Sequence, residues 1–165
     1  MKKSKILLAI STSRYSQKLV KHAIDEASSF HQNGYTVEIE VLYVIEEDEL
    51  KKISVQIGSQ AFWGSLVKND VVEALGEEHH RMAMQRIEEI KAAAAKSNFS
   101  VAVFEVKGKF SSSVIRHAEV HNCDVILLTR DDRPFISRVL FGSEVDRVAR
   151  LARKESIGKV IIDER

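Results

Sequence analysis

The sequence predicts a doubly wound, three-layer α/β domain with a mainly parallel sheet between two layers of helices. Five short apolar segments alternate along the 165 residues with segments of helical period, which is the pattern of successive βαβ units. The segment Val125–Leu128 is wholly aliphatic and is bounded by polar residues, as expected of a strand that is buried on both faces. Right-handed crossovers leave few ways to wind such strands, and they favour the doubly wound arrangement.

The first half of the chain predicts two strands and two helices. Ile6–Ile10 is apolar and ends in a polar turn, so it forms the first strand and its loop. A helix starts at Ser16, and its apolar residues fall on one stripe. The second strand runs from Thr36 and becomes continuously apolar at Val41–Ile45. Val71–Lys96 is the longest helical stretch, because apolar residues recur along it at helical spacing.

The second half predicts three strands and two helices. Val101–Val106 forms the third strand and Ser111–His121 a helix, and the aliphatic segment described above follows as the fourth strand. Lys159–Ile162 closes the chain as the fifth strand. No repeat or linker divides the sequence, so residues 1–165 are predicted to form one domain that buries about 70% of its unfolded surface.

A capped helix follows the fourth strand. Ser143 can accept from the amides of the next turn while Asp146 reaches back, in the manner of a capping box. Gly142, directly before the cap, lets the backbone approach whatever lies above the helix. A strand end that meets such a helix N-terminus is where open α/β sheets usually bind a ligand, often an anionic one.

Charge and composition exclude several functional classes. The 25 basic and 24 acidic residues give a net charge of +1, so no overall field favours nucleic acid or an anionic membrane. A single cysteine, Cys123, forms no internal disulfide and suits a reducing compartment. The apolar segment at the amino terminus is too short for a signal peptide, and no run of about 18 apolar residues is present. We therefore expect a cytoplasmic protein without nucleic-acid or membrane partners.

One irregular insertion is predicted at about residues 46–70. It starts with an acidic run and continues into a segment in which Phe62 and Trp63 lie between Gly58 and Gly64. The default interpretation is a connector whose aromatic side chains fold onto the core. The alternative is a lid over the ligand crevice or a patch that binds a partner.

Metal and catalytic motifs are not recognised in the sequence. His79 and His80 are adjacent, and His117 and His121 are spaced four apart on one helix face, but a zinc site needs three or four ligands and nothing at suitable spacing completes either pair. Histidines on solvated helix surfaces are the default, so no metal is predicted. Neither a nucleophile elbow nor a phosphate-binding Walker loop occurs, and we expect no enzyme activity.

The chain resembles the universal stress protein family over nearly its whole length. The resemblance rests on KILLAISTSRYSQKLVKHAIDEA near the start, EVLYVI on the second strand, and CDVILLTR followed by RVLFGSEVDRVARLA near the end. It implies a five-stranded parallel sheet of order 3-2-1-4-5. It also implies a homodimer, often paired through the last strand, here Lys159, Val160, Ile161, Ile162 and Asp163.

Within this family, ATP-binding members resemble one another in a glycine signature that this chain lacks. In that signature two glycines precede the Gly-Ser pair, and Thr129 and Asp132 occupy their positions here. Those members also tend to carry an aspartate after the first strand, where this chain has Ser11, and a small apolar residue in place of Glu144. Side chains at glycine positions crowd the approach of a nucleotide to the backbone. Each added carboxylate near a polyphosphate costs on the order of 3 kcal/mol at about 5 Å.

The leading hypothesis is therefore a non-catalytic, dimeric stress-response protein that has a degenerate ATP site, requires no cofactor and acts through protein partners. The alternative is a switch that binds ATP or AMP at a variant site. A slow nucleotide hydrolase, with Asp132 or Glu144 as base, needs bound nucleotide first. The candidate nucleotide-contacting residues are Ser11, Thr12, Val44, Thr129, Arg130, Asp132, Gly142, Ser143 and Glu144.

Overall fold

Strands and helices alternate along the chain, as its apolar segments predict. The computed structural model describes residues 2–46, 65–130 and 143–163, with backbone only for 65–75. The elements in this part of the chain are β1 (Lys2–Ile10), α1 (Gln17–Gln32), β2 (Tyr35–Glu46), α2 (Ser65–Lys96), β3 (Ser100–Gly108), α3 (Phe110–His121), β4 (Val125–Thr129), α4 (Glu144–Lys154) and β5 (Lys159–Asp163).

The five strands form one parallel sheet of order β3-β2-β1-β4-β5, which confirms the predicted topology. The chain starts in the middle of the sheet, where β1 pairs with β2 on one side and with β4 on the other. Strand order reverses between β1 and β4. In open α/β sheets, the crevice outside the carboxyl ends of two such strands is the usual place for a ligand.

Side chains that alternate along β1 build the two halves of the core. Ile6, Leu8 and Ile10 pack with α1 and α2 on one face of the sheet. Leu7 and Ala9 pack with α3 and α4 on the opposite face. Because both faces of the central strand are covered, all five side chains are fully buried, and the domain has the expected three layers.

Two serines begin helices as predicted. The hydroxyl of Ser16 accepts a hydrogen bond from the amide of Leu19 and caps α1. The hydroxyl of Ser143 accepts one from the amide of Asp146 and caps α4. Each bond satisfies an amide that has no partner inside the first turn of its helix.

The second helix is longer than its sequence pattern predicts. It begins at Ser65 rather than Val71, so residues 65–70 do not belong to an irregular insertion. No proline or glycine interrupts the chain between Ser65 and Leu75, so nothing in these residues prevents the helix from continuing through 65–70. Phe62 and Trp63 lie outside the described residues. None of the described helices has both the length and the apolar character needed to cross a bilayer.

Candidate functional site

The candidate crevice lies where β1 and β4 end. Ser11 and Thr12 follow β1, Thr129 ends β4, and Ser143 begins the turn into α4. The order of the strands therefore places these residues at the carboxyl edge of the sheet, as the sequence predicts. Asp132 and Gly142, two other candidate residues, lie outside the described part of the chain.

On the β1 side, the crevice contains a buried ion pair. The guanidinium of Arg14 lies 3.3 Å from Glu46 Oε1, with side chains that are only 4% and 10% exposed. Ser11 is fully buried, and its hydroxyl donates to Glu46 Oε2 at 2.7 Å. The guanidinium of Arg14 also stacks over the ring of Phe110, 4.8 Å from the ring centroid. Sequence reasoning missed Arg14 and Glu46, since Glu46 looked like the start of a solvated acidic run.

Thr12 is held by side chains from two other elements. Its hydroxyl lies 2.7 Å from the Tyr43 hydroxyl and 3.2 Å from His79 Nδ1. Arg86 of α2 donates to the backbone carbonyls of Ser11 and Thr12, at 3.1 and 2.5 Å. The loop after β1 is thus tied to α2 by charge-assisted hydrogen bonds, which are the stronger kind.

A cavity of about 250 Å³ adjoins this loop on the side of α2. Its lining is mixed: Tyr43, Ile45 and Ala83 are apolar or aromatic, while His80 and Glu105 are polar. The volume is slightly below the range of about 300–1,000 Å³ that is usual for small-molecule sites.

On the β4 side, the candidate side chains bind one another. The Thr129 hydroxyl donates to the backbone carbonyl of Asp163 in β5, at 3.1 Å. Arg130 makes a bidentate contact with the carboxylate of Asp146, at 2.9 and 3.0 Å, and donates to the Ser143 hydroxyl at 3.3 Å. The carboxylate of Asp146, in the first turn of α4, therefore neutralises the charge of Arg130.

Glu144 has a structural role that its sequence position did not reveal. One of its carboxylate oxygens accepts from the backbone amide of Ser111 at the start of α3, at 2.9 Å. The other accepts from Arg147 at 3.3 Å. Burial acts to raise the pKa of the Glu144 carboxyl, but the Ser111 hydrogen bonds and the charge of Arg147 hold that pKa below its ordinary value. The carboxylate therefore caps α3 as an anion.

Val44 is fully buried within β2, where it is in register with Val106 of β3. The fold thus brings the described candidates to one edge of the sheet in two groups. One group follows β1 and includes Ser11, and the other lies between the end of β4 and the start of α4 and includes Arg130.

Comparison with known proteins identifies the family. The model of the universal stress protein family matches residues 3–155. The chain belongs to the universal stress protein family. No curated protein sequence matches this universal stress protein.

Solved structures share the fold. A universal stress protein UspA from Lactobacillus plantarum is 18% identical, with a TM-score of 0.64 over 98% of each chain. The hypothetical protein MJ0577, whose biochemical function was assigned from its structure, is 22% identical, with a TM-score of 0.63 over 100% of this chain and 98% of its own. A universal stress protein solved in complex with cAMP is 11% identical, with a TM-score of 0.58 over 98% and 97% of the two chains.

Proposed function

We propose that this universal stress protein is a non-catalytic, dimeric regulator with a degenerate ATP site, and that it acts through protein partners in a stress response. One observation carries the proposal: polar groups that would meet a nucleotide already bind other parts of the chain. Ser11 donates to Glu46, Thr129 to a β5 carbonyl, and Glu144 accepts from the start of α3. A nucleotide would have to replace these bonds before it gained its own.

The charges of the crevice also support a lost ATP site. Ser11 stands where ATP-binding relatives tend to carry an aspartate. The buried carboxylate of Glu46 lies beside it. On the other side of the crevice, Asp146 in the first turn of α4 pairs with Arg130, which follows β4. A polyphosphate arriving there would meet carboxylates at short range and a cation that is already paired.

The structural role of Glu144, one of the two candidate bases, supports a non-catalytic protein. A general base works best when its pKa lies near the working pH. The pKa of Glu144 is lowered, and its carboxylate is fixed as a helix cap. Such a carboxylate is a weak base for activating water. Phosphate release from ATP that exceeds the buffer rate would contradict this part of the proposal.

The proposed dimer pairs through β5. This strand lies at one end of the sheet, and Val160, Ile161 and Ile162 are only half-buried, so a second copy could extend the sheet and cover them. Val160→Lys should shift sedimentation from dimer to monomer. Val103→Lys on β3, the strand at the opposite edge of the sheet, is the matched control and should leave the dimer intact. A monomeric wild type, or equal loss in both variants, would refute pairing through β5.

The proposed compartment is the cytoplasm, because the single cysteine leaves no internal disulfide that would favour an oxidising environment.

Isothermal titration of the purified chain with ATP and AMP tests the degenerate site. We expect dissociation constants weaker than about 10 μM, which corresponds to about −7 kcal/mol. Tighter binding of either nucleotide would refute the proposal.

A second candidate function is a switch that binds an adenine nucleotide at a variant site. The fold neighbour solved with cAMP and the capped start of the eleven-residue helix α4 favour it. Titration should then show binding that is lost in Ser143→Ala. Ser16→Ala removes the equivalent cap of α1 and is the matched control, so binding that falls equally in both variants would not place the nucleotide at α4.

A further inference from the structure

Four potential metal ligands meet against the sheet at the end opposite the crevice. Glu40 comes from β2, His117 and His121 from the last turns of α3, and Cys123 from the turn before β4. The sequence suggested a solvated helix face for the two histidines. That interpretation is wrong for His117, whose side chain is 9% exposed and lies against the buried Glu40. Glu40 of β2 and Cys123, which follows the helix, add two potential ligands to the histidine pair.

The local fold explains why Cys123 reaches this cluster. Asn122 ends α3 in the left-handed conformation, with φ of 55°. The chain therefore reverses, and the amide of Cys123 donates back to the carbonyl of Ala118. This turn directs Cys123, which is 4% exposed, under the last turn of the helix rather than away from it.

Three ligand atoms are already close enough to surround one ion. Glu40 Oε2 lies 2.7 Å from His117 Nε2 and 3.8 Å from Cys123 Sγ, and the ligand atoms of all three residues lie within 4.8 Å of one another. In a tetrahedral zinc site, bonds of about 2.0–2.3 Å separate such ligand atoms by about 3.3–3.6 Å. Binding would therefore require separations between these ligand atoms to change by no more than about 1.2 Å from the present arrangement.

The other oxygen of Glu40 is held by outer partners. Oε1 lies 3.1 Å from His121 Nδ1 and 3.5 Å from the Lys5 ammonium. The rings of His117 and His121 stack at 4.0 Å, and Phe104 packs edge-on against both. A ligating carboxylate whose second oxygen is fixed in this way is typical of metal sites in proteins.

The pKa directions in this cluster favour a carboxylate and a neutral imidazole, whereas the thiol must lose its proton when a metal binds. Burial acts to raise the pKa of Glu40, but hydrogen bonds from His117 and His121 lower it overall. Burial lowers the pKa of His117 and raises that of the Cys123 thiol to about 12. Without metal, the three groups are therefore a carboxylate, a neutral imidazole and a thiol.

We propose that Glu40 Oε2, His117 Nε2 and Cys123 Sγ bind one Zn²⁺ ion, with His121 as the outer partner of Glu40 and a fourth position taken by water. As the zinc–sulfur bond forms, the thiol proton leaves to solvent, and the His117 proton moves from Nε2 to Nδ1. One carboxylate and one thiolate then balance the two charges of the ion, so a buried site is neutral. A mixed sulfur, nitrogen and oxygen set suits zinc better than magnesium or calcium.

The structure also provides a route for the ion, along which Arg116 and Lys107 are cationic, and a competing cation at Glu40. A surface pocket of about 360 Å³ is lined by both histidines and by Arg116, and the His121 side chain is 27% exposed. Lys5 competes with a cation for Glu40, but its side chain is 32% exposed and its ammonium can move into water. A bound ion would join β2, α3 and the turn before β4, and would thereby stabilise the fold.

Zinc titration of the full chain, after chelator treatment, tests the proposal. We expect one Zn²⁺ per chain with a dissociation constant below about 1 μM, and a melting temperature that rises with Zn²⁺ but not with Mg²⁺. Cys123→Ser and His117→Gln should weaken binding more than about 100-fold, and His121→Gln about 10–100-fold. Lys5→Ala should tighten it. A wild type that binds less tightly than this, or variants that bind as well as the wild type, would overturn the assignment.

His22→Gln is the matched control, because His22 also contacts a carboxylate, that of Asp163 at 2.8 Å. Its zinc affinity should equal that of the wild type, and a loss equal to that in His117→Gln would indicate adventitious histidine binding and overturn the site. Co²⁺ added to the wild-type chain tests the same site by its visible spectrum, even if a variant fails to fold. We expect tetrahedral visible bands and a thiolate-to-cobalt charge-transfer band, which only Cys123 can supply, and their absence refutes the proposal.

Discussion

Replacing Ser11 by aspartate would restore a residue typical of ATP-binding relatives, yet the structure predicts that it destabilises the fold. The Ser11 hydroxyl lies 2.7 Å from a carboxylate oxygen of Glu46, and Ser11 is fully buried. Two carboxylates about 4 Å apart repel by about 4 kcal/mol at an effective dielectric constant of about 20. Arg14, 3.3 Å from Glu46, offsets part of this repulsion. We expect Ser11→Asp to lose about 2–3 kcal/mol of unfolding free energy at pH 7.

The loss of unfolding free energy in Ser11→Asp should be larger at high pH than at low pH. The two carboxyls disfavour joint ionisation, so the folded state of the variant raises one carboxyl pKa above its unfolded value of about 4. Well below the unfolded pKa the added aspartate is protonated in both states, and the penalty is absent. The penalty grows as pH rises through the raised folded pKa, so the variant should lie closer to the wild type at pH 5 than at pH 7.

Urea denaturation of wild type, Ser11→Asp and Ser11→Asn at both pH values measures these free energies. The asparagine variant has nearly the same size without the charge, so it separates repulsion from crowding. If Ser11→Asp is as stable as Ser11→Asn at pH 7, the electrostatic reasoning is wrong. If it gains micromolar affinity for ATP without loss of stability, the degenerate-site proposal is wrong as well.

Two further variants test local features of the fold. Glu144→Gln removes the anion that caps α3 and should cost about 1 kcal/mol at pH 7, measured by urea denaturation. The pKa of Glu144 is lowered in the folded state. Its contribution to the unfolding free energy is therefore present above the unfolded pKa of about 4.3 and is lost as pH falls through the folded pKa. Equal acid sensitivity in wild type and variant would contradict this role. Gly158→Ala should cost more than about 2 kcal/mol in thermal or urea unfolding, since its φ is +43° and an added Cβ would lie 2.7 Å from the carbonyl oxygen of Asp124; a change within about 0.5 kcal/mol would refute this.

The sequence predicted the features of the fold that depend on local pattern. The apolar run of β1, the serine caps of α1 and α4, and the aliphatic β4 are each specified by neighbouring residues, and the structure contains them where expected. The order of the strands was implied by the family resemblance rather than by periodicity. The predicted start of α2 at Val71 was wrong because residues 65–70 were assigned to the irregular insertion, whereas the helix begins at Ser65.

The partners of the buried carboxylates could not be predicted, because they depend on contacts between distant segments. Arg14 meets Glu46 across 32 residues, and Glu40 meets His117 across 77. One signal was nevertheless present in the sequence. Glu40 lies within a strand that a parallel sheet buries on both faces, and a carboxylate there requires donors nearby. Asking which donors could reach it would have directed attention to the histidines of α3.

The two buried carboxylates of β2, one near the middle of the strand and one at its end, differ in how open they are to a ligand. Glu40 and Glu46 lie on either side of the apolar segment Val41–Ile45, and each is almost fully buried. Glu46 is bound by Ser11 and Arg14, whose donors are themselves buried. Glu40 is bound by histidines that border a surface pocket, and by an ammonium that can move into water. Displacing the partners of Glu46 would leave a cation buried without its carboxylate, whereas those of Glu40 can be exchanged for a metal ion at lower cost. We therefore expect ligand chemistry in this chain at the amino end of the sheet rather than at the familiar crevice.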